Sequence, residues 1–281
     1  MGKFARTWDL MKASWQMLMQ DKRLIVFPAI SGAVLMLLIV LFAVPVALSR
    51  GIHAAVPAHA SPEMYLGMFV FYFLAYFVIF FFNSALIACV MKQIDGEQPT
   101  IGFGLAFAWQ RLPQICGWAL LASSVGMLLR VLEEKVGVVG RFVVGLLGMA
   151  WSVTSFLVVP VLVAEGTGPI DSYKRSVQLL KKTWGEQIIG NVSFGLIFAL
   201  FGIVPAALLF MFAIKLGPAA IMVVGAGLMV WLVLLGLVQS TLQTIYQAAI
   251  YCYAATGDAP SGFSNQLVAE AFREKPQRRW L

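Results

Sequence analysis

The chain has 281 residues, 60% of them hydrophobic and only 12% charged, with a mean hydropathy of +0.86. Such a composition excludes a soluble domain, and long unbroken apolar runs exclude an outer-membrane barrel, whose strands alternate over short segments. The net charge of +7 lies on residues flanking those runs, so it reads as topological bias and attraction to anionic lipid rather than as a nucleic-acid surface.

Residues 3–22 are predicted to form an interfacial helix. Phe4, Trp8, Met11, Trp15 and Leu18 fall on one stripe of a helix, with Lys3, Arg6, Asp9 and Lys12 on its other faces. Tryptophan on an apolar stripe with cations beside it suits a helix lying in the headgroup layer. The apolar run behind it, 24–48, is longer than a signal-peptide core and reads as a retained membrane helix. Pro28 stands in its first turn, where a missing N–H costs little, and Pro45 is expected to kink it or mark its exit. The loop 49–64 holds both histidines, His53 and His59, whose spacing is not that of a helical metal pair.

The second membrane helix, 65–91, is rich in aromatic residues, and Asn83 is its one strongly polar group. A buried amide in lipid is expected to find a partner on another helix. After the polar turn Asp95–Pro99, the positions Ile101, Leu105, Ala108, Trp109 and Leu112 hint at a weaker interfacial helix ending at Arg111. Helices 113–129 and 142–163 form the next hairpin, joined by Arg130–Arg141, and Pro160–Gly166 reads as a sharp stop at the membrane edge.

A second interfacial helix is predicted at 172–185. Its stretch Arg175–Trp184 repeats Arg6–Trp15, with Arg, Leu, Lys and Trp identical at matching positions. Tyr173, Val177, Leu180 and Trp184 restate the apolar stripe of the first copy. Helices 187–214 and 219–253 follow, the fifth carrying Asn191 near its start and the sixth carrying Gln239, Gln243 and Gln247 on one row. A C-terminal amphipathic helix is predicted at 263–274, before the basic end of the chain.

The expected fold is an all-α polytopic membrane protein, a single membrane domain over 1–281. Six transmembrane helices form three hairpins, each preceded by an interfacial amphipathic helix. Of the 20 lysines and arginines, fifteen lie on the side of the termini; Arg50, Arg130, Lys135, Arg141 and Lys215 make up the other side. The positive-inside bias therefore predicts that both termini are cytoplasmic.

The opening Phe4-x-Arg6-x-Trp8, Lys12-x-Ser14-Trp15 and Asp21-Lys22-x-Leu24-x-x-Phe27-Pro28, with the tail Tyr253-Ala254-x-Thr256-Gly257, resembles an uncharacterised bacterial family of multi-pass membrane proteins. That resemblance implies the bacterial inner membrane. The block Pro160, Glu165-Gly166, Lys174-Arg175-Ser176 and Leu179 resembles a broader group, the membrane domain attached to some glycerophosphodiester phosphodiesterases. In those enzymes the chemistry sits in a separate soluble barrel. The resemblance thus implies a membrane module and lends no catalytic residue.

No phosphate-binding loop, HExxH motif or Ser/His/Asp set occurs, and Cys89, Cys116 and Cys252 form no CxxC pair. Neither an enzyme nor a bound metal or cofactor is expected. The favoured reading is a non-catalytic module that scaffolds, or binds anionic lipid, a protein partner or another copy of itself. Its contacts would be Arg6, Lys12, Arg175, Lys181 and Lys182. The alternative is a transporter or channel for a small or lipid-like substrate, with Asn83, Asn191, Gln239, Gln243 and Gln247 lining a polar cavity.

Overall fold

A computed structural model describes residues 3–50 and 62–256, with side chains outside 3–11, 46–50, 182–197, 201 and 219. The predicted tail helix at 263–274 and residues 51–61 of the histidine-bearing loop lie outside the described residues, while the loop's two ends belong to helices. Nine α-helices and a short 3-10 turn make up the described secondary structure, with no strand among those residues. In chain order the helices are α1 (Lys3–Gln20), α2 (Val26–Arg50), α3 (Pro62–Ile94), α4 (Ile101–Gln110) and α5 (Leu112–Lys135). They continue as α6 (Val138–Thr154), α7 (Val158–Glu165), α8 (Pro169–Leu216) and α9 (Pro218–Thr256). Among the described residues, six segments are long and apolar enough to cross a bilayer: Lys22–Pro45, Pro62–Ile94, Leu112–Lys135, Val138–Glu165, Phe198–Leu216 and Ala220–Thr256. This is the architecture of a multi-pass membrane protein.

Several boundaries differ from those read in the sequence. Pro45 sits inside α2, which runs on to Arg50. The third span does not end at 129 but continues to Lys135. The second interfacial helix and the fifth span form one helix of 48 residues, with Pro205 inside it. The fourth span, by contrast, is broken: α6 stops at Thr154 and α7 starts at Val158. Pro160 accounts for the break, because it lacks the N–H that would bond the carbonyl of Phe156 and its ring crowds that carbonyl.

The chain divides into two compact units. The first comprises Val26–Cys89 and Pro99–Gln178. Within it α4 lies on α3 through small residues. Gly104 and Ala108 are the buried positions of α4. A Cβ added at Gly104 would come within 2.7 Å of Ala85 O and Cys89 Sγ and 2.8 Å of Phe27. Thr100 caps α4, its hydroxyl accepting from Phe103 N at 3.1 Å, and the Cys89 thiol donates to Thr100 O at 3.6 Å. Interleaved aromatic residues line α3, with Tyr76 and Phe80 stacked at 5.6 Å and Phe80 against Trp118 of α5 at 6.0 Å.

The second unit comprises Met1–Ile25, Val90–Gln98 and Leu179–Leu281. Here α1 packs against α9. The buried face of α1 is Ala13, Ser14, Met17 and Leu18, whereas Trp15 is 46% exposed. Leu18 thus belongs to the buried face, Trp15 does not, and the side chains of Phe4, Trp8 and Met11 lie outside the described set. Gln93 Nε2 reaches the α1 end of this packing and donates to Met17 O at 3.2 Å. Along α9 burial is concentrated in the second half, where Thr241, Leu242, Ile245, Tyr246, Ala248 and Ala249 are covered. The first half exposes Met222, Val223, Met229, Val230 and Trp231, as a lipid-facing surface would.

Candidate functional site

The sequence-derived basic residues have separate fates. Lys12 and Lys181 are exposed, and the side chains of Arg6 and Lys182 lie outside the described set. Arg175 is engaged within the first unit: its Nε donates to Glu165 Oε1 at 3.0 Å. That pair joins α8 to the end of α7, which stops at Gly166 in the left-handed region (φ 65°). Glycine is suited to such a helix stop because it carries no Cβ. The Arg111 guanidinium lies where a Cβ on Gly166 would stand, placing a cation at the negative end of α7.

The polar groups proposed for a cavity are also dispersed between the units. Asn83 is half-buried on α3 in the first unit, whereas Gln239, Gln243 and Gln247 are half-buried on α9 in the second. Asn191 falls among residues whose side chains are not described. A groove of about 450 Å³ in the second unit is lined by Phe210, Gly225, Leu228, Met229, Leu232 and Val233, and none of the amides contributes to it. Among the described residues no cluster of three or more His, Cys, Asp or Glu has the arrangement of a metal site.

The sequence reading missed the densest polar cluster in the first unit, which surrounds the break in the fourth span. Breaking the helix alters its hydrogen bonding. Val158 N bonds Ser155 O at 3.1 Å, and Phe156 N bonds Val153 O at 3.3 Å. This shortened pattern leaves Thr154 O and Leu157 N to find other partners. Ser176 of α8 supplies both: its hydroxyl donates to Thr154 O at 2.7 Å and accepts from Leu157 N at 3.2 Å. Only 1% of Ser176 is exposed. One turn earlier on α8, Tyr173 OH donates to Thr154 Oγ1 at 3.1 Å. Its ring stacks on Trp151 at 5.3 Å and on Trp118 at 6.3 Å, while Trp118 and Trp151 stack at 5.7 Å.

The predicted stripe of the second interfacial helix therefore meets its buried face at Leu180 alone among the described side chains, with that of Trp184 outside the described set. Ser172, Ser176, Leu179 and Leu180 are buried, while Tyr173 and Val177 are only partly covered. Hydroxyl side chains occupy the contact because they satisfy backbone groups and let helices approach closely. The same α5 face brings Gly117 against Pro169, whose Cγ would lie 2.7 Å from an added Cβ. Two buried atoms on that helix, Gln114 Oε1 and Trp118 Nε1, have no hydrogen-bond partner among the described residues.

A second unforeseen cluster ties the far ends of α3 and α5. Arg130 Nη1 donates to Tyr72 OH at 2.9 Å, Arg130 Nε pairs with Glu134 Oε1 at 3.4 Å, and Tyr65 OH donates to Glu134 Oε2 at 3.2 Å. The sequence reading placed Arg130 and Glu134 in a connecting loop. Their separation of one helical turn is the signal that α5 continues through them.

Six described segments long and apolar enough to cross a bilayer define the class as a multi-pass helical membrane protein. Within that class the chain belongs to DUF6159, a family of unknown function, which matches residues 63–263. The match begins at α3 and extends beyond the end of α9. Nothing in it links the chain to the phosphodiesterase membrane domains. No individually curated protein matches the chain significantly.

Proposed function

We propose that the chain is a non-catalytic integral membrane module that engages anionic lipid headgroups through its basic amphipathic segments. The observation that carries this reading is the exposed edge of α1. Lys12, Trp15 and Met19 are exposed at helical spacings of three and four, and Lys22 and Arg23 are exposed in the turn that follows. The opposite face of the same helix, Ser14, Met17 and Leu18, is buried. A helix held on one side by protein and showing indole, thioether and cations on the other is suited to the headgroup layer.

In this reading the edge lies at the cytoplasmic face of a bacterial inner membrane, as the lysine and arginine bias favours. Arg6, Lys181 and Lys182 extend the cationic set. Arg175 is paired with Glu165, which offsets part of its attraction for lipid. The likeness of the Pro160–Leu179 block to the phosphodiesterase membrane domain belongs to the same reading, as a likeness between membrane modules. A protein partner or a second copy would use the same edge.

The test is binding of the detergent-solubilised full chain to phosphatidylglycerol vesicles, with phosphatidylcholine vesicles as reference. Each cation near an anionic surface contributes about 1 kcal/mol, so replacing Lys12, Lys22 and Arg23 by Gln should weaken binding by about 3 kcal/mol, roughly a hundredfold at low salt. Equal binding of parent and triple variant, or no preference for the anionic vesicle, refutes the proposal.

A further inference from the structure

The eight-residue helix α7 stands between two non-helical joints. One is Ser155–Leu157, and the other begins at the left-handed Gly166. Consecutive residues of α8 hold it at both ends. Ser176 takes Leu157 N at the start of α7, and Arg175 takes Glu165 at its finish. The helical pattern fails across the first joint, so the Ser176 hydroxyl carries both the freed carbonyl of Thr154 and the freed amide of Leu157. In a bilayer such groups cannot turn to water, and undocking α8 would strand them. The hydrogen bonds described from α8 to α6, α7 and the first joint come from one turn, Tyr173 to Ser176.

We infer that Ser155–Leu157 is a hinge in the fourth span, and that this turn of α8 is its latch. With the latch engaged, α6 and α7 act as one span. Released, α7 moves as a short rigid body about the hinge, pivoting between the break and the Gly166 turn. The latch turn also carries Arg175, whose side chain is 38% exposed in its pair with Glu165. The outer half of the latch is consequently open to competing groups, while the Ser176 half is closed to them. The inference stands independently of lipid binding, since it concerns bonds within the first unit alone.

The experiment measures the distance between nitroxide labels on opposite sides of the break. Labels are carried on Met149→Cys in α6, 64% exposed, and Ala164→Cys in α7, also exposed. The full chain is reconstituted in lipid nanodiscs, with the native cysteines replaced by alanine. Ser176→Thr keeps a hydroxyl, and Ser176→Val has the same shape without one. The threonine variant is expected to retain the parent's single narrow distance, and the valine variant to broaden or shift it by about one helical turn, ~5 Å. Arg175→Gln, which leaves the buried hydroxyl in place, is expected to broaden it less. It also keeps the test decisive if the valine variant does not fold. A parent-like narrow distribution in Arg175→Gln, or in folded Ser176→Val, overturns the inference.

Discussion

Replacing Gly104 by alanine provides a demanding test of the α3–α4 contact, because the same helix contains its own control. At Gly104 an added methyl meets Ala85 O, Cys89 Sγ and Phe27 within 2.8 Å, and one of those atoms is backbone. Ordinary van der Waals contact begins near 3.5 Å, so the helices must part or the methyl must remain strained. Overpacking of this kind costs about 1–3 kcal/mol. At Gly102 the nearest atom to an added methyl is Thr100 Oγ1 at 3.9 Å. There alanine should gain helix propensity, up to about 1 kcal/mol, with no opposing term. Thermal unfolding of the detergent-solubilised chain, followed by loss of helical circular dichroism, should rank Gly102→Ala at or above the parent and Gly104→Ala below it. If Gly104→Ala melts with or above Gly102→Ala, the close approach of α4 to α3 is wrong.

Two other outcomes follow from the clusters described above. Tyr72→Phe removes the hydroxyl that accepts from Arg130. Arg130 and Glu134 remain about half exposed, so the loss should be about 1 kcal/mol in the same melt, and a neutral result would reduce the cluster to surface decoration. Replacing Gln239, Gln243 and Gln247 together by leucine separates transport from helix adhesion. If the row lines a pathway, the folded variant loses a solute flux measured in proteoliposomes. A variant that no longer folds assigns the row to packing instead.

The apolar runs made most of the helical layout legible in the sequence. The charge-free stretches around Leu37, Phe77 and Leu232 can hardly be anything but spans. The packed faces were much harder to identify, for a physical reason. In water a buried face is apolar, but lipid is as apolar as leucine, so hydrophobic stripes no longer mark what touches protein. Small and hydroxylated residues join the apolar ones there: Gly104 and Ala108 on α4, Ser14 on α1, and Ser172 and Ser176 on α8 are among the covered positions. Trp15, read as part of the apolar stripe of an interfacial helix, is about half exposed.

The break in the fourth span had a visible cause, Pro160, but its position suggested a helix end. Only the shifted bonds of Phe156 and Val158 reveal that the chain resumes as α7. The basic repeat was legible as a string, yet its second copy proved to contain the residue that mends that break. Ser176 stands between Arg175 and Val177 with nothing in its neighbours to distinguish it from the other hydroxyls of the chain.

The contact that buries Cys89 also makes the chain a reporter of its own packing. The thiol is 1% exposed and lies beneath α4, on the carbonyl of Thr100. Cys116 and Cys252 are only partly covered, one in each unit. Lifting α4 from α3 therefore uncovers the Cys89 thiol to a reagent. The rate of that modification, compared with the rates at the other two cysteines, measures how often the first unit opens without any label being introduced.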